Sequence, residues 1–191
     1  MDNNSNNGRR EFVKQSSLIA GGLLAAPFMS NANFFSGADD VIKVALIGCG
    51  GRGTGAAMQA LLSKQNVKLV AMADAFSDRL ERCYKTIIEE DASLKAKLDV
   101  PAERKFVGFD AYLKAIPFAD VIILTTPPGF RPIHFAEAIK QGKHVFMEKP
   151  VATDPAGIKK VLDTAEIAKQ KKLNVVVGLQ RHYQNSYREL Y

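Results

Sequence analysis

The sequence predicts an α/β protein with a doubly wound parallel sheet, and two observations lead to this fold class. From residue 42 to residue 180, apolar runs of strand length alternate with segments whose apolar residues recur at helical spacing. The strand-like runs are mostly continuous apolar segments rather than alternating ones, as is typical of parallel strands covered on both faces. Repeated β-α units of this kind imply right-handed crossovers and helices on both faces of one open sheet.

The first half of this region predicts three strands and two helices. VIKVALIG predicts the first strand, TGAAMQALLSK a helix and VKLVAMAD the second strand. The next helix is predicted over SDRLERCYKTIIEED, with Ser77 as its N-cap. Its apolar face consists of Leu80, Cys83, Tyr84, Ile87 and Ile88. Residues 91–105 are charged and loosely patterned, as in helix and loop, and KFVGF predicts a short third strand.

The second half predicts three more strands and three helices. DAYLKAI predicts a short helix and ADVIILTT a fourth, fully apolar strand. The helix in PPGFRPIHFAEAIKQGK has Pro132 near its first turn and Gly142 after its last, the usual asymmetry of helix ends. HVFMEKP predicts the fifth strand, DPAGIKKVLDTAEIAKQKK a long helix and NVVVGLQ the sixth strand.

Composition and charge point away from nucleic acid and from metal. The chain is 47% hydrophobic and 24% charged, as in ordinary globular proteins. The formal net charge is +6, but basic and acidic residues are interleaved, as in DRLERCYKTIIEED, which indicates solvated helix faces. Cys49 and Cys83 form no metal-binding motif, although a structural pair between them stays open. The three histidines are far apart, so no metal site is predicted.

The first 40 residues have the pattern of an export signal. RREFVK precedes the apolar run SSLIAGGLLAAPFM, and SNA offers a cleavage site after Ala32. Arg9 and Arg10, with Phe12 and Lys14, resemble the twin-arginine signal, and an ordinary secretory signal is the alternative. The apolar run is too short to span a membrane, so no stable anchor is predicted. We therefore predict a signal over residues 1–32, a linker over 33–40, export through the twin-arginine machinery and a periplasmic or otherwise exported protein.

A glycine-rich loop follows the first strand. Gly48, Gly50 and Gly53 have the spacing G-x-G-x-x-G between a strand and a helix, which predicts a tight turn, backbone approach to a pyrophosphate and close helix packing. Asp74 ends the second strand about 20 residues further on, where a carboxylate accepts hydrogen bonds from ribose hydroxyls and repels a 2′-phosphate. These features predict binding of NAD, and the nearby Arg79 keeps NADP as the less favoured cofactor.

Two further loops follow strands at the edge where open α/β sheets bind ligands. Thr125, Thr126 and Pro127 after the fourth strand can line the ribose and nicotinamide, or form only a proline-rich turn. His134 in the next helix can reach the same crevice, or serve in packing. Lys149 after the fifth strand can pass a proton during carbonyl–alcohol exchange. By spacing alone, E-K-P is more often an exposed turn.

The motifs GCGGRG, MAD, TTPPGFRPIH and EKP together resemble the glucose-fructose oxidoreductase / inositol dehydrogenase / MocA family. GKHVFMEKP and VVVGLQRHY are particularly similar, and the resemblance covers residues 41 to about 188. It implies a Rossmann domain over residues 41–180 and the start of a second α/β domain over 181–191. In the family that second domain shapes the substrate pocket and often forms the interface of a homo-oligomer.

The resemblance also implies roles for individual residues. The residues implied at the pyrophosphate are Gly48, Gly50, Gly51, Arg52 and Gly53. Those implied at the ribose, nicotinamide or remainder of the cofactor are Asp74, Thr126, Pro127, His134, Glu148, Lys149, Gln180 and Arg181. Lys149 is the implied catalytic residue. The family's proton-transfer histidine from the second domain has no match up to Tyr191, so we expect this chain to be the front half of a longer protein, or a truncated product, with little turnover alone.

Together these observations predict an NAD(P)-dependent oxidoreductase acting on a CH–OH group of a sugar or polyol. Outside the cytoplasm there is no pool of NAD to exchange with, so the cofactor is expected to be loaded before export, held tightly and recycled. Two alternatives remain: an NAD-dependent glycosidase that oxidises a sugar ring transiently, and a non-catalytic protein that binds NAD or sugar. The sequence does not identify the particular substrate.

Overall fold

The computed structural model describes residues 41–190, and the predicted signal and linker lie outside this range. Its centre is a six-stranded sheet in which every strand pair is parallel, with the order β3-β2-β1-β4-β5-β6. The strands are β1 (Ile42–Ile47), β2 (Val67–Asp74), β3 (Lys105–Val107), β4 (Val121–Leu124), β5 (His144–Met147) and β6 (Val175–Val177). The predicted doubly wound α/β fold is therefore confirmed.

Helices connect the strands on both faces of the sheet. They are α1 (Gly51–Leu61), α2 (Ser77–Glu90), α3 (Ala111–Ala115), α4 (Arg131–Lys140), α5 (Pro155–Gln170), α6 (Gln180–Tyr183) and α7 (Asn185–Arg188). The loosely patterned stretch after α2 contains two short 3₁₀ helices, Ala92–Lys97 and Ala102–Arg104, and a third covers Ile116–Phe118. In the described part of the chain, no helix is long and apolar enough to cross a membrane.

The sheet has an apolar core on each face, and β1 contributes to both. Val44 and Leu46 join the core formed with α1 and α2, whereas Ala45 and Ile47 join the core formed with α3, α4 and α5. Because successive side chains of a strand point to opposite faces, a strand covered on both sides must be apolar at every position. This requirement explains the nearly continuous apolar runs in the sequence, which Lys43 and Lys68 interrupt only near the starts of β1 and β2.

Several element boundaries differ from the predicted ones. Helix α1 begins at Gly51 rather than at residue 54, so the glycine loop itself forms the first turn. Ser77 is the first residue of α2 and not its N-cap, which is Phe76 without a side-chain cap. Strand β3 ends at Val107 because Gly108 follows with φ +124°, a left-handed conformation suited to glycine.

The strand order reverses direction between β1 and β4. The chain proceeds outward from β1 to β2 and β3, then returns to the other side of β1 to form β4, β5 and β6. The connections that follow β1 and β4 therefore lead in opposite directions from the carboxyl edge of the sheet. A crevice at such a switch point is the usual ligand site of doubly wound folds.

Candidate active site

A cleft of about 1340 Å³ lies at this switch point and brings together most of the predicted site residues. Its volume exceeds the roughly 300–1,000 Å³ of ordinary small-molecule pockets. The predicted residues that line it are Gly48, Gly50, Arg52, Asp74, Thr125, Thr126, Pro127, His134, Glu148, Lys149 and Gln180. Residues more than a hundred positions apart therefore face one space that is large enough for an extended ligand.

Three residues of the predicted set do not line the cleft. Gly51 is the first residue of α1, and Gly53 is a buried residue in the first turn of the same helix. Arg181 belongs to α6 rather than to a loop, and its guanidinium lies 5.4 Å from the ring centroid of Tyr187. Contact between these three residues and a cofactor stays a prediction.

The first and third glycines of the loop are required by the packing of the protein itself. Gly48 has φ +97°, and a β-carbon there would lie 2.6 Å from the backbone nitrogen of Thr126. A β-carbon on Gly53 would lie 1.9 Å from the carbonyl oxygen of Gly48, closer than real atoms approach. The hydroxyl of Thr125 donates to that same carbonyl oxygen at 2.6 Å. The loops after β1 and β4 are thus in direct contact.

The second glycine is not required by protein packing. Gly50 is the N-cap of α1 with φ −73° and ψ −179°, a conformation open to any residue. A β-carbon there would have only Arg79 Nη1 nearby, at 4.0 Å. The first turn of α1 carries no acidic side chain, and the first N–H groups of an α-helix have no partner within the helix. This open, electropositive space fits the pyrophosphate of a dinucleotide.

Asp74 fastens the glycine loop to the end of β2. Its Oδ2 accepts a hydrogen bond from the backbone N–H of Cys49 at 2.6 Å, and its Oδ1 accepts one from the backbone N–H of Phe76 at 3.0 Å. A carboxylate has about four acceptor sites, so capacity remains for ribose hydroxyls. The guanidinium of Arg79 lies over the ring of Phe76, 5.6 Å from its centroid.

Glu148 connects the glycine loop to the loop after β5. Arg52 donates from Nε to Oε1 of Glu148 at 2.8 Å, and its Nη2 forms an ion pair with the same oxygen at 2.6 Å. Glu148 is buried, and a β-carbon on Gly178 would lie 2.9 Å from each of its carboxylate oxygens. The described residues thus give Arg52, which was predicted at the pyrophosphate, a partner within the protein.

Lys149 is an exposed cation at the edge of the cleft. Among residues 41–190 it has no hydrogen-bond or ion-pair partner. The peptide bond that joins it to Pro150 is cis. Its ammonium group is therefore available to a ligand, whereas the neighbouring Glu148 is committed to Arg52.

His134 is buried between the loop after β4 and helix α3. Its Nδ1 lies 3.1 Å from the hydroxyl oxygen of Thr126, and its ring centroid lies 4.2 Å from that of Tyr112. Burial, together with the positive charge of Arg131, lowers the pKa of His134 to about 4. The imidazole is therefore neutral at neutral pH and acts in the cleft as a hydrogen-bonding group without charge.

The structure adds cleft residues that the sequence did not single out. Arg131 is only 2% exposed, although it precedes a proline at the start of a helix, a context typical of surface residues. Phe76, Phe109 and Phe130 also line the cleft, each a few residues beyond the end of β2, β3 or β4. Their shared position shortly after a strand is the sequence feature that could have predicted them as cleft residues.

Cys49 and Cys83 are both buried and free. The two thiols contact each other, and this contact together with burial raises the pKa of Cys49. The pair packs beneath the glycine loop as part of the core with α1 and α2. In the range 41–190, no group of three or more His, Cys, Asp or Glu residues is arranged to hold a metal ion.

Known proteins resemble this chain in both sequence and structure. An α-N-acetylgalactosaminidase from Shewanella oneidensis is 25% identical over 83% of this chain, which spans 37% of that protein. An inositol 2-dehydrogenase from Pseudomonas savastanoi is 32% identical over 59% of this chain, equal to 36% of its own length. The structure of myo-inositol dehydrogenase from Lactobacillus casei in complex with NAD(H) and myo-inositol has a TM-score of 0.64 and 25% identity, covering 79% of this chain and 40% of that one.

The family model described as an oxidoreductase family with an NAD-binding Rossmann fold matches residues 42–179. This range begins with β1 and ends just before α6, so it includes every strand of the sheet and all but the last part of the cleft. The chain therefore belongs to the GFO_IDH_MocA oxidoreductase family, whose members share an NAD-binding Rossmann fold.

Proposed function

We propose that the protein is a nicotinamide-dependent oxidoreductase acting on a CH–OH group of a sugar or polyol. The observation that carries this proposal is Lys149, a cation without a partner among residues 41–190, which lies in the same cleft as the open glycine loop. Inositol dehydrogenases among the relatives support the class of substrate, since inositols are polyols. The relatives are more than twice as long as the matched region, so the proposal concerns the activity of the whole protein.

The residues of the cleft fit a dinucleotide along its length. The first turn of α1 and the open space at Gly50 would hold the pyrophosphate, and Asp74 would accept from the adenosine ribose. Thr126 and Pro127 would lie along the nicotinamide half. The bound nicotinamide would supply the acceptor for a hydride.

Lys149 would bind and orient the reacting hydroxyl group. Its ammonium can donate to the hydroxyl oxygen, and the same nitrogen can carry the proton that this oxygen loses or gains. Glu148 is occupied by Arg52, and His134 is buried and neutral, so neither offers an equivalent exposed group. This difference supports Lys149 as the catalytic residue of the described part of the cleft.

NAD is the proposed cofactor in preference to NADP. The Asp74 carboxylate lies at the end of β2, where its negative charge would repel a 2′-phosphate. Arg79 offers an opposing positive charge next to Phe76. Fluorescence titration with NADH and NADPH tests the proposal: we expect tighter binding of NADH, and equal or reversed affinities would contradict it.

The twin-arginine-like sequence supports a cofactor that stays bound. Export of a folded protein would carry the nucleotide with it, and a retained cofactor must be reoxidised or reduced in place by a second half-reaction. Denaturation of the purified full-length protein should release about one NAD(H) per chain. A preparation without nucleotide would contradict retention, although it would leave the binding test above unaffected.

A substitution of Lys149 separates catalysis from binding. Lys149→Ala should retain NADH affinity and lose substrate oxidation by at least about a hundredfold, since general acid–base groups typically contribute this much. Lys64→Ala, a lysine outside the cleft, is the matched control and should behave as the unsubstituted protein. If the protein binds NADH but oxidises no sugar or polyol with or without Lys149, a non-catalytic binding protein is the better description.

A second candidate function is glycoside cleavage by transient oxidation of the sugar ring. The similarity to an α-N-acetylgalactosaminidase over 83% of the chain favours it. In this reaction the hydride returns to the sugar, so many glycosides are cleaved per bound cofactor. Incubation of the full-length protein with nitrophenyl glycosides, without added NAD, distinguishes the two. Release of nitrophenol in large excess over protein supports the glycosidase, and its absence with active polyol oxidation supports the dehydrogenase.

A further inference from the structure

Arg131 joins two loops of the cleft through their backbone carbonyl groups. It is the first residue of α4 and is almost completely buried. Its Nη2 donates to the carbonyl oxygen of Thr126, in the loop after β4, and its Nη1 donates to the carbonyl oxygen of Pro150, in the loop after β5. The two acceptors are next to Pro127 and Lys149, which both line the cleft.

A guanidinium is well suited to this position and costly to bury there. Its planar fork presents several donors in a fixed arrangement, so it can hold two carbonyl groups at a defined separation. Removal of a cation from water costs several kcal/mol unless charge and hydrogen bonds compensate. Here Glu148 supplies the nearby negative charge, while Nε of Arg131 has no hydrogen-bond partner among the described residues.

The sheet is already held together without this guanidinium. Strands β4 and β5 pair from Val121 with His144 through Leu124 with Met147, and the backbone N–H of Glu148 still donates to the carbonyl of Leu124 at 3.0 Å. Beyond that last hydrogen bond, β4 and β5 continue into separate loops. Arg131 connects them just after this point of separation, where ladder hydrogen bonds have ended.

We infer that Arg131 is a positioning residue, which holds the Lys149 loop at a defined distance from the Thr126 loop. It does not itself contact the reacting atoms but sets where the Lys149 side chain enters the cleft. The catalytic consequence of this inference rests on the proposed function. The placement of Lys149 by Arg131 can be tested without any catalysis.

The test compares three variants of the full-length protein. Arg131→Met removes both hydrogen bonds, and Arg131→Lys keeps a cation without the fork. Lys171→Met is the matched control, because Lys171 also bridges two carbonyl oxygens, those of Ile139 and Lys140 at 3.0 Å each, but outside the cleft. Thermal unfolding of all variants gives the loss of stability that belongs to each bridge.

The first readout is the NMR signal of Lys149 after reductive ¹³C-methylation, assigned by its absence from Lys149→Arg. Arg131→Met should change the chemical shift of this signal, and Arg131→Lys should change it less. Lys171→Met should leave it unchanged. An unchanged Lys149 signal in folded Arg131→Met, or an equal change in Lys171→Met, would overturn the inference. If Arg131→Met does not fold, Arg131→Lys decides by the same criterion.

The second readout compares kcat with the Kd of NADH. A misplaced Lys149 should lower kcat by about ten- to a hundredfold, the usual consequence of displacement by about 1 Å, with the Kd of NADH changed less than threefold. A loss of NADH binding equal to the loss of kcat would contradict a positioning role. If the unsubstituted protein neither binds NADH nor turns over, the proposed function fails, and the NMR readout still decides on Arg131.

Discussion

The two sides of the cleft are built in different ways. On one side, the glycine loop and the start of α1 are shaped by backbone sterics, since Gly48 and Gly53 leave no room for a β-carbon. On the other side, the loops after β4 and β5 are held by side chains, chiefly Arg131 and His134. Glu148 joins the two sides through Arg52.

Because of this difference, the two sides of the cleft should differ in their sensitivity to pH and to changes of charge. Close backbone packing does not titrate and fails only when atoms are added. A buried imidazole depends instead on its protonation state, and a buried guanidinium depends on its hydrogen bonds. Apart from the hydrogen bond that Asp74 accepts from Cys49 and the ion pair of Arg52 with Glu148, the glycine-loop side should therefore respond mainly to added volume. The β4–β5 side should respond to protonation of His134 or to loss of the Arg131 donors.

The largest effect is expected from a methyl group in the glycine loop. Gly53→Ala would place a β-carbon 1.9 Å from the carbonyl oxygen of Gly48, so the free energy of unfolding should fall by at least about 4 kcal/mol, or the protein should not fold. Gly51→Ala is the control, because its β-carbon would meet no atom within 4 Å beyond the adjoining residues and the nearby backbone of the helix, and its effect should stay within about 1 kcal/mol. Urea denaturation measures both, and equal effects would contradict steric shaping of this side.

The next largest effect is the pH dependence that His134 gives to the β4–β5 side. Its pKa is about 4 in the folded protein, against an ordinary value of 6.5. Between these values the unfolded chain binds a proton that the folded chain excludes, so the free energy of unfolding should fall as pH is lowered from 6.5 to 4. For this one group the fall is on the order of 2–3 kcal/mol, and no dependence on it is expected above that range.

His134→Gln tests this contribution by comparison with the unsubstituted protein. Urea unfolding at several pH values should give a flatter profile for the variant, because the carboxylates that titrate in the same range are common to both. The exposed His182 supplies the control substitution, His182→Gln. Parallel profiles for His134→Gln and the unsubstituted protein would show that the imidazole is not kept neutral by burial.

The smallest change in stability is expected for Gly50→Ala, which should nevertheless weaken the binding of NADH. Gly50→Ala fills space that the protein does not use, so Tm should change by no more than a few degrees. The affinity for NADH should fall at least about tenfold, or 1.4 kcal/mol, because the new methyl group faces the expected pyrophosphate. Gly55→Ala, in the same helix but outside the cleft, should retain full affinity. Unchanged NADH binding in Gly50→Ala would place the pyrophosphate elsewhere.

Local pattern was sufficient for the parts of the site that depend on neighbouring residues. The spacing of the glycines, the position of Asp74 and the lysine after β5 all follow from where strands end, and the structure brings them to one cleft. The boundary errors occurred where tertiary contacts change local preference. Helix α1 begins three residues early, for example, at the point where the glycine loop packs directly against Thr125.

The remaining features involve partners that no local pattern specifies. The bond between Arg52 and Glu148 joins residues 96 positions apart, and the burial of Arg131 depends on carbonyl groups from two separate loops. A sequence shows that such residues carry charge, but not which charge or carbonyl group each will meet. The roles of all the predicted site residues toward a cofactor likewise stay predictions.

The sequence by itself determined the order of the elements, the doubly wound sheet and the edge at which the cleft lies, because hydrophobic periodicity and glycine spacing act over a few neighbouring residues. The tertiary structure alone decided that Glu148 pairs with Arg52, that His134 is buried and neutral, and that Arg131 spans two loops. These outcomes depend on distances between side chains from different crossovers, which are set only when the helices and strands have packed.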